Sequence, residues 1–196
     1  MQQKFTFFIR KDTREELVTK LAAVDGFSIN AMSKSEFIRQ SFSEKGFVLP
    51  KNPSDVMGLV HTQYFKVKDH IDSEIRSRVS AGSRFILSLD EYTSLNNRRY
   101  LNIIVHKGGG SFWNLGIVKI DGAMPAEKVV EAVQNKLSEF GLDLEKHVVA
   151  CVTDGACVMV KFGKTIDCDH QLCYAHGIHL AVCDVLYRKT ERTPLW

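Results

Sequence analysis

The sequence has no cysteine in its first 150 residues, and all five of its cysteines lie between Cys151 and Cys183. An odd number confined to the last quarter is not the pattern of a disulfide framework, so we expect a reducing intracellular compartment. Residues 1–80 therefore contain no zinc finger of the Cys-x2-Cys type. Long hydrophobic runs are also missing, which predicts no membrane association, and we expect no signal peptide in the opening residues.

A strong excess of charge of one sign is absent as well. Lysine and arginine number 26 and aspartate and glutamate 23, a formal net charge of +3. This excess is compatible with a polyanionic partner but does not argue for one. With 44% hydrophobic and 25% charged residues, the 196-residue chain can form one well-packed domain with a smaller appendage.

Helical periodicity dominates residues 1–80. Capping signals at Asp12, Ser33 and the Asn52-Pro53 pair each precede apolar residues spaced at the helical period. The stretch Ala81-Gly82-Ser83 then marks a change of period. We therefore predict an all-helical segment over residues 1–80, followed by a separate domain.

The next part of the chain has the pattern of strands, and the fold class is predicted to be α/β. Short turns join the first three runs, which makes them antiparallel neighbours. A helix beginning at Pro125 then leads to a fourth run, which most simply packs parallel to the first. The four runs are Arg84–Leu89, Tyr100–His106, Phe112–Ile120 and His147–Thr153.

Asp90 and Asp154 directly follow the first and fourth of these runs. If the two strands are parallel neighbours, both carboxylates emerge at one edge of the sheet. Like charges placed so close together repel, and a divalent cation such as Mg²⁺ between them relieves the repulsion. Such a pair is the core of a two-metal site for phosphodiester chemistry. The alternative is that both aspartates serve only local turns or helix caps.

Several segments quoted in order carry a resemblance to a known family: SLDEYTS, NNRRYLNIIVHK, NLGIVKIDGAMPAEK, VTDGACVMVKFGK and HQLCYAHGIHLAVCDVLY. In order and spacing they resemble the catalytic region of hAT-superfamily transposases, over roughly residues 27–189. The resemblance implies an RNase H-like fold in which Asp90 and Asp154 match the first two acids of an Asp-Asp-Glu triad. It further implies Mg²⁺ or Mn²⁺ as cofactor, the DNA of transposon ends as partner, a homo-oligomer, and a nuclear location.

Two departures from the family pattern limit this interpretation. The family's third acid, a glutamate, follows a large helical insertion, and after Asp154 this chain offers only Glu191, which does not match that motif. The zinc-binding BED-type finger common in the family has no counterpart in residues 1–80. We therefore expect a truncated, decayed or domesticated transposase with an RNase H-like domain at 81–167 and the start of a helical insertion at 168–196.

The stretch Cys168–Cys183 leaves three interpretations open. Cys173, His176 and their neighbours could bind zinc, although their spacing matches no complete zinc module. By the resemblance, Cys173 and His176 match a Cys-x-x-His motif associated with DNA transactions near the active site. The third interpretation is a partly buried helix, expected over residues 169–188, whose histidines pair with neighbouring polar groups.

Two functions of different classes follow from these patterns. One is transposase ancestry, with metal-dependent cleavage and transfer of DNA strands at Asp90 and Asp154. The other is a non-catalytic DNA- or protein-binding module that retains the fold without the reaction. We expect the chain alone not to cut DNA, since the third acid is missing.

Overall fold

The computed structural model describes residues 12–187. These residues divide into two compact units, one up to His70 and one from Ile71 onward. The boundary falls inside a long helix, whereas sequence patterning places it at Ala81-Gly82-Ser83. The division into residues 1–80, 81–167 and 168–196 stays a prediction.

The first unit is helical: α1 (Arg14–Ala23), α2 (Ile29–Lys34), α3 (Glu36–Glu44) and the first part of α4 (Pro53–Ser80). Its buried core consists of Val18, Met32, Phe42, Leu49 and Val56.

The helix caps of this unit differ from those predicted. Thr13, rather than Asp12, forms the capping box of α1 with Glu16. Ser28 and Ser35 cap α2 and α3, while Ser33 is buried.

The second unit contains a five-stranded mixed sheet in the order β3-β2-β1-β4-β5. β1 pairs antiparallel with β2, and β2 with β3, while β4 lies parallel to β1 and β5 parallel to β4. The predicted antiparallel meander and parallel fourth strand are therefore confirmed. The strands are β1 (Phe85–Thr93), β2 (Arg99–Lys107), β3 (Ser111–Ile120), β4 (Val148–Thr153) and β5 (Asp169–Leu172).

Four helices connect or follow these strands. They are α5 (Ala126–Ser138), α6 (Leu144–His147), α7 (Cys157–Thr165) and α8 (Tyr174–Tyr187). α5 makes the crossover from β3 towards β4, and its buried residues Val129, Val133 and Leu137 repeat at the helical period. Among the helices of residues 12–187, none has the length and apolar character needed to cross a membrane.

One face of the sheet forms the core, and alternation along the strands places the site on the other face. Phe85, Leu87 and Leu89 of β1 are buried. Successive side chains of a strand point to opposite faces, so Ser88 and Asp90 lie on the face away from this core.

The predicted helix over residues 169–188 is wrong in its first turn. Asp169–Leu172 forms β5, which pairs with Ala150–Thr153 of β4, and α8 begins only at Tyr174. This edge strand is mostly exposed, so it lacks the apolar alternation by which a strand is usually predicted. Pairing with β4, rather than burial, determines its conformation.

Candidate active site

Asp90 lies inside β1 rather than at its end, which corrects the sequence prediction. β1 continues to Thr93 because its pairing with β2 extends that far, with Asp90 opposite Asn102. Pairing between β1 and β4 ends earlier, at Ser88 and Val152. Asp90 therefore has a strand on one side only, and its side chain is exposed.

Asp154 directly follows β4, as expected. Asp90 and Asp154 each lie two residues beyond the Ser88–Val152 pair, on strands that run parallel. Neighbouring strands are about 4.8 Å apart, so this register places the two residues side by side. Both line one cavity of about 290 Å³, together with Ser88, Leu89, Val152, Cys173 and His176. The structure thus brings the two aspartates together, and their role as metal ligands stays a prediction.

The Asp154 carboxylate has a local turn partner. Its Oδ1 accepts a hydrogen bond from the backbone N–H of Ala156 at 3.1 Å. Ala156 is the N-cap of α7, and no side chain caps that helix. The bond is therefore of the Asx-turn type and not a helix cap. It uses one lone pair of one oxygen, which leaves acceptor capacity for a ligand.

Asn102 is a neighbour of Asp90 that the sequence interpretation missed, although it does not itself line the cavity. It lies directly across from Asp90 in β2, and its Oδ1 is a buried atom with no hydrogen-bond partner among residues 12–187. Residues directly opposite in an antiparallel pair share a face, with Cβ atoms about 5 Å apart. An uncharged oxygen atom without a hydrogen-bond partner among the described residues thus lies beside Asp90. Its only sequence signal is an asparagine inside a strand, where this residue type is depleted.

Cys173 and His176 form another wall of the same cavity. The Cys173 backbone N–H donates to the carbonyl oxygen of Thr153 at 2.7 Å, and its carbonyl accepts from Gly177 at the start of α8. These main-chain bonds fix the first turn of α8 against the end of β4. The Cys-x-x-His motif therefore lies beside both aspartates, which its spacing alone did not establish.

The remainder of α8 does not match the expected partly buried helix, because none of its residues is buried. His179 has a partner on its own helix, with its Nε2 3.6 Å from the Sγ of Cys183. Exposed apolar side chains cover much of the helix, including Ile178, Val182, Val185 and Leu186.

The oxygen donors of the cavity fit magnesium better than the Cys and His side chains fit zinc. Within residues 12–187, no group of three or more His, Cys, Asp or Glu side chains is arranged to hold a metal ion. A structural zinc site needs four such ligands. Mg²⁺ needs only one or two carboxylates, because water and substrate phosphates complete its shell. Asp90 and Asp154, with the oxygen of Asn102 nearby, meet that smaller requirement.

A third acid does not line this cavity among the described residues. Glu91, next to Asp90 in sequence, forms an ion pair with Arg99, with a 3.6 Å N–O distance. Alternation places Glu91 on the opposite face of β1 from Asp90. Glu191, the remaining acid considered from the sequence, lies outside the described residues.

Comparison with protein-family models and with curated protein sequences finds no match to this chain. A function is therefore inferred from the sequence motifs and from the geometry of the cavity.

Proposed function

We propose that this chain carries the two-aspartate part of the catalytic centre of an hAT-type DNA transposase, on an RNase H-like fold. The observation that carries the proposal is the shared cavity of Asp90 and Asp154, each two residues beyond the last parallel pair of β1 and β4. An antiparallel meander followed by parallel strands supports the RNase H-like assignment. The nearby Cys173 and His176 support the family assignment, since both belong to the resembling motifs.

The proposed role of the chain's own residues is to bind and orient. Asp90 and Asp154 would hold Mg²⁺ or Mn²⁺, since two adjacent carboxylates repel each other unless a cation neutralises them. A divalent ion held there supplies activation of water or a 3′-hydroxyl and stabilisation of the leaving oxygen of a phosphodiester. Both ions of a two-metal centre need ligands, and the described residues contribute only two acids to the cavity. We therefore propose that the chain alone binds the ion without cutting DNA.

A second candidate function is a non-catalytic module that binds DNA or another protein. The observation that favours it is the exposed apolar surface of α8, including Ile178, Val182 and Val185, which are 66%, 49% and 81% exposed. Exposed apolar surface of this kind is common where a protein packs against another segment or partner. This function requires no metal at Asp90 and Asp154, so metal binding discriminates between the two.

The test is a Mn²⁺ titration followed by electron paramagnetic resonance in metal-free buffer. Asp90→Asn and Asp154→Asn each remove one charged ligand without changing shape, and we expect affinity to fall by about tenfold or more. Asp169→Asn is the matched control, because Asp169 is an exposed aspartate at the amino-terminal end of β5. Equal Mn²⁺ affinity in the wild-type chain and both cavity variants would contradict the proposal.

A further inference from the structure

A chain of hydrogen bonds connects β5 to the backbone of Asp154. Thr153, the last residue of β4, is fully buried. Its Oγ1 donates to the carbonyl oxygen of Asp154 at 3.0 Å and lies 2.8 Å from the Nε2 of His170. A hydroxyl has one proton to donate. Because Thr153 donates that proton to Asp154, its oxygen accepts from His170, whose ring proton is then on Nε2.

The ring of His170 is fixed on its other side by α7. A Cβ atom built at Gly163 would lie only 2.2 Å from the Cγ and Nδ1 of His170. The closest atoms belong to the ring at its attachment to Cβ, so a small rotation of the side chain does not relieve the overlap. Glycine at position 163 thus admits the imidazole against the helix backbone.

Asp154 needs this support because it lies outside the ladder of the sheet. Its strand ends at Thr153, and within residues 12–187 its carboxylate has the local bond from Ala156 as its one hydrogen bond. The carbonyl of Thr153 is held by Cys173, and the side chain of Thr153 by His170. A metal ligand works well only when neighbouring groups hold it within about 0.5 Å of its productive position.

We propose that His170 is a positioning residue for metal binding: through the Thr153 hydroxyl it holds the Asp154 backbone so that the carboxylate faces the cavity. This inference rests on the proposed function, because it assumes that Asp154 binds the ion. His170 opens the segment HQLCYAHGIHLAVCDVLY but belongs neither to the aspartate pair nor to the Cys-x-x-His motif, and its two neighbours are a buried hydroxyl and a helix glycine. That placement corresponds to support of a ligand rather than to direct binding.

The experiment pairs each disruptive variant with a conservative one. Thr153→Val keeps the shape and removes the hydroxyl, whereas Thr153→Ser keeps the hydroxyl. His170→Phe keeps a ring beside Gly163 and removes the donor, whereas His170→Gln keeps a terminal N–H. We expect Thr153→Val and His170→Phe to weaken Mn²⁺ binding by about tenfold, as loss of an outer-shell partner of a metal ligand typically does. Thr153→Ser and His170→Gln should bind within about threefold of wild type. Thermal unfolding of each metal-free variant is measured in parallel.

The outcomes separate this inference from the function on which it rests. Wild-type binding that is lost in Asp90→Asn but unchanged in Thr153→Val and His170→Phe would overturn the positioning role alone. Absence of Mn²⁺ binding by the wild-type chain would overturn the proposed function and the inference with it. If Thr153→Ser and His170→Gln lose as much affinity as Thr153→Val and His170→Phe, with matching losses of stability, the role is structural only and the positioning proposal is overturned. An ¹⁵N spectrum of the wild type showing the proton on Nδ1 would contradict the hydrogen-bond chain itself.

Discussion

Asp90 and Asp154 reach the same cavity from two different kinds of backbone. Asp90 belongs to a continuous strand whose pairing with β2 extends beyond it to Thr93. Asp154 lies in a turn, where the Ala156 N–H and the Thr153 hydroxyl hold it. Main-chain pairing with β2 fixes Asp90, and hydrogen bonds that involve side chains fix Asp154.

Two residues with the same proposed role in metal binding therefore need not contribute equally to stability. No hydrogen bond or ion pair to the Asp90 side chain is found among residues 12–187, so changing it removes a proposed metal ligand and no native side-chain bond. Changing Asp154, or the residues that hold it, also removes native hydrogen bonds. Perturbation of β4, β5 and α7 should therefore affect stability more than perturbation at Asp90.

The strongest destabilisation is expected at Gly163, where α7 meets His170. Gly163→Ala forces a Cβ into the ring, and we expect the free energy of unfolding to fall by about 1–3 kcal/mol. Gly177→Ala in α8 is the matched control, because among residues 12–187 a Cβ added there would meet no atom within 4 Å apart from its chain neighbours and the nearby backbone of its own helix. At that position the substitution should be neutral or stabilising, since alanine favours a helix by about 0.5–1 kcal/mol. Urea denaturation measures both, and equal losses would contradict the described packing.

A pH effect of similar size is expected from Cys151 in β4. Burial chiefly, with the nearby Cys168 second, raises the pKa of the Cys151 thiol to about 12. The unfolded chain loses this proton above about pH 8.5, whereas the folded chain keeps it. The unfolded state then binds fewer protons, so stability falls as the pH rises from about 8.5 towards 12. Between about pH 8 and 10 the loss should be on the order of 2 kcal/mol.

The buried residues of β1 (Phe85, Leu87 and Leu89) do not titrate, so this pH effect distinguishes β4, the strand that leads to Asp154, from β1. Urea denaturation near the lower and upper ends of the pH range given above measures this loss of stability. Cys151→Ala should abolish the loss, whereas Cys157→Ala, at an exposed position, should leave it unchanged. The same pH dependence in both variants would assign the effect to other groups.

A smaller difference in the free energy of unfolding is expected between variants of the two aspartates. Asp154→Ala removes the bond to Ala156 and should lower the free energy of unfolding by about 1 kcal/mol. Asp90→Ala should leave it unchanged or raise it slightly, because the repulsion between two neighbouring carboxylates is relieved. Thermal unfolding in the presence of a chelator measures this difference without bound metal. A larger loss at Asp90 than at Asp154 would reverse the comparison.

The parts of the fold that can be predicted from sequence are those in which burial determines the conformation. Apolar alternation predicts β1 to β4 and their pairing, because each of these strands buries one face. It does not predict β5, a polar edge strand held by β4 and by the bond from His170 to Thr153. It also ends β1 at Asp90, because the residues Glu91 and Tyr92 do not reveal that pairing with β2 continues where pairing with β4 stops.

The two aspartates of the candidate site can be predicted from the sequence, but the residues around them cannot. Asp154 and Asp90 follow apolar runs, so their shared edge can be inferred from strand order. The neighbouring residues Thr153 and His170 contact each other only in the folded chain, so no local pattern indicates them, and the signal for Asn102 is limited to its residue type within a strand.

We expect no strand cleavage or strand joining of DNA by the isolated chain. The purified chain should not nick or join duplex DNA with Mg²⁺ or Mn²⁺, since two acids do not hold both ions of a two-metal centre in register. A plasmid-nicking assay measures this. Cleavage by the wild-type chain that is abolished by Asp90→Ala and by Asp154→Ala would contradict this expectation. If Glu191→Ala also abolished that cleavage, Glu191 would be the third acid.

Anomalous diffraction of Mn²⁺ in crystals of the wild-type chain tests the shared metal site of Asp90 and Asp154 most directly. We predict a single peak in the cavity, about 2.0–2.6 Å from a carboxylate oxygen of each aspartate. A peak bound by Cys173 and His176 without either aspartate, or no peak in the cavity at saturating Mn²⁺, would contradict this prediction.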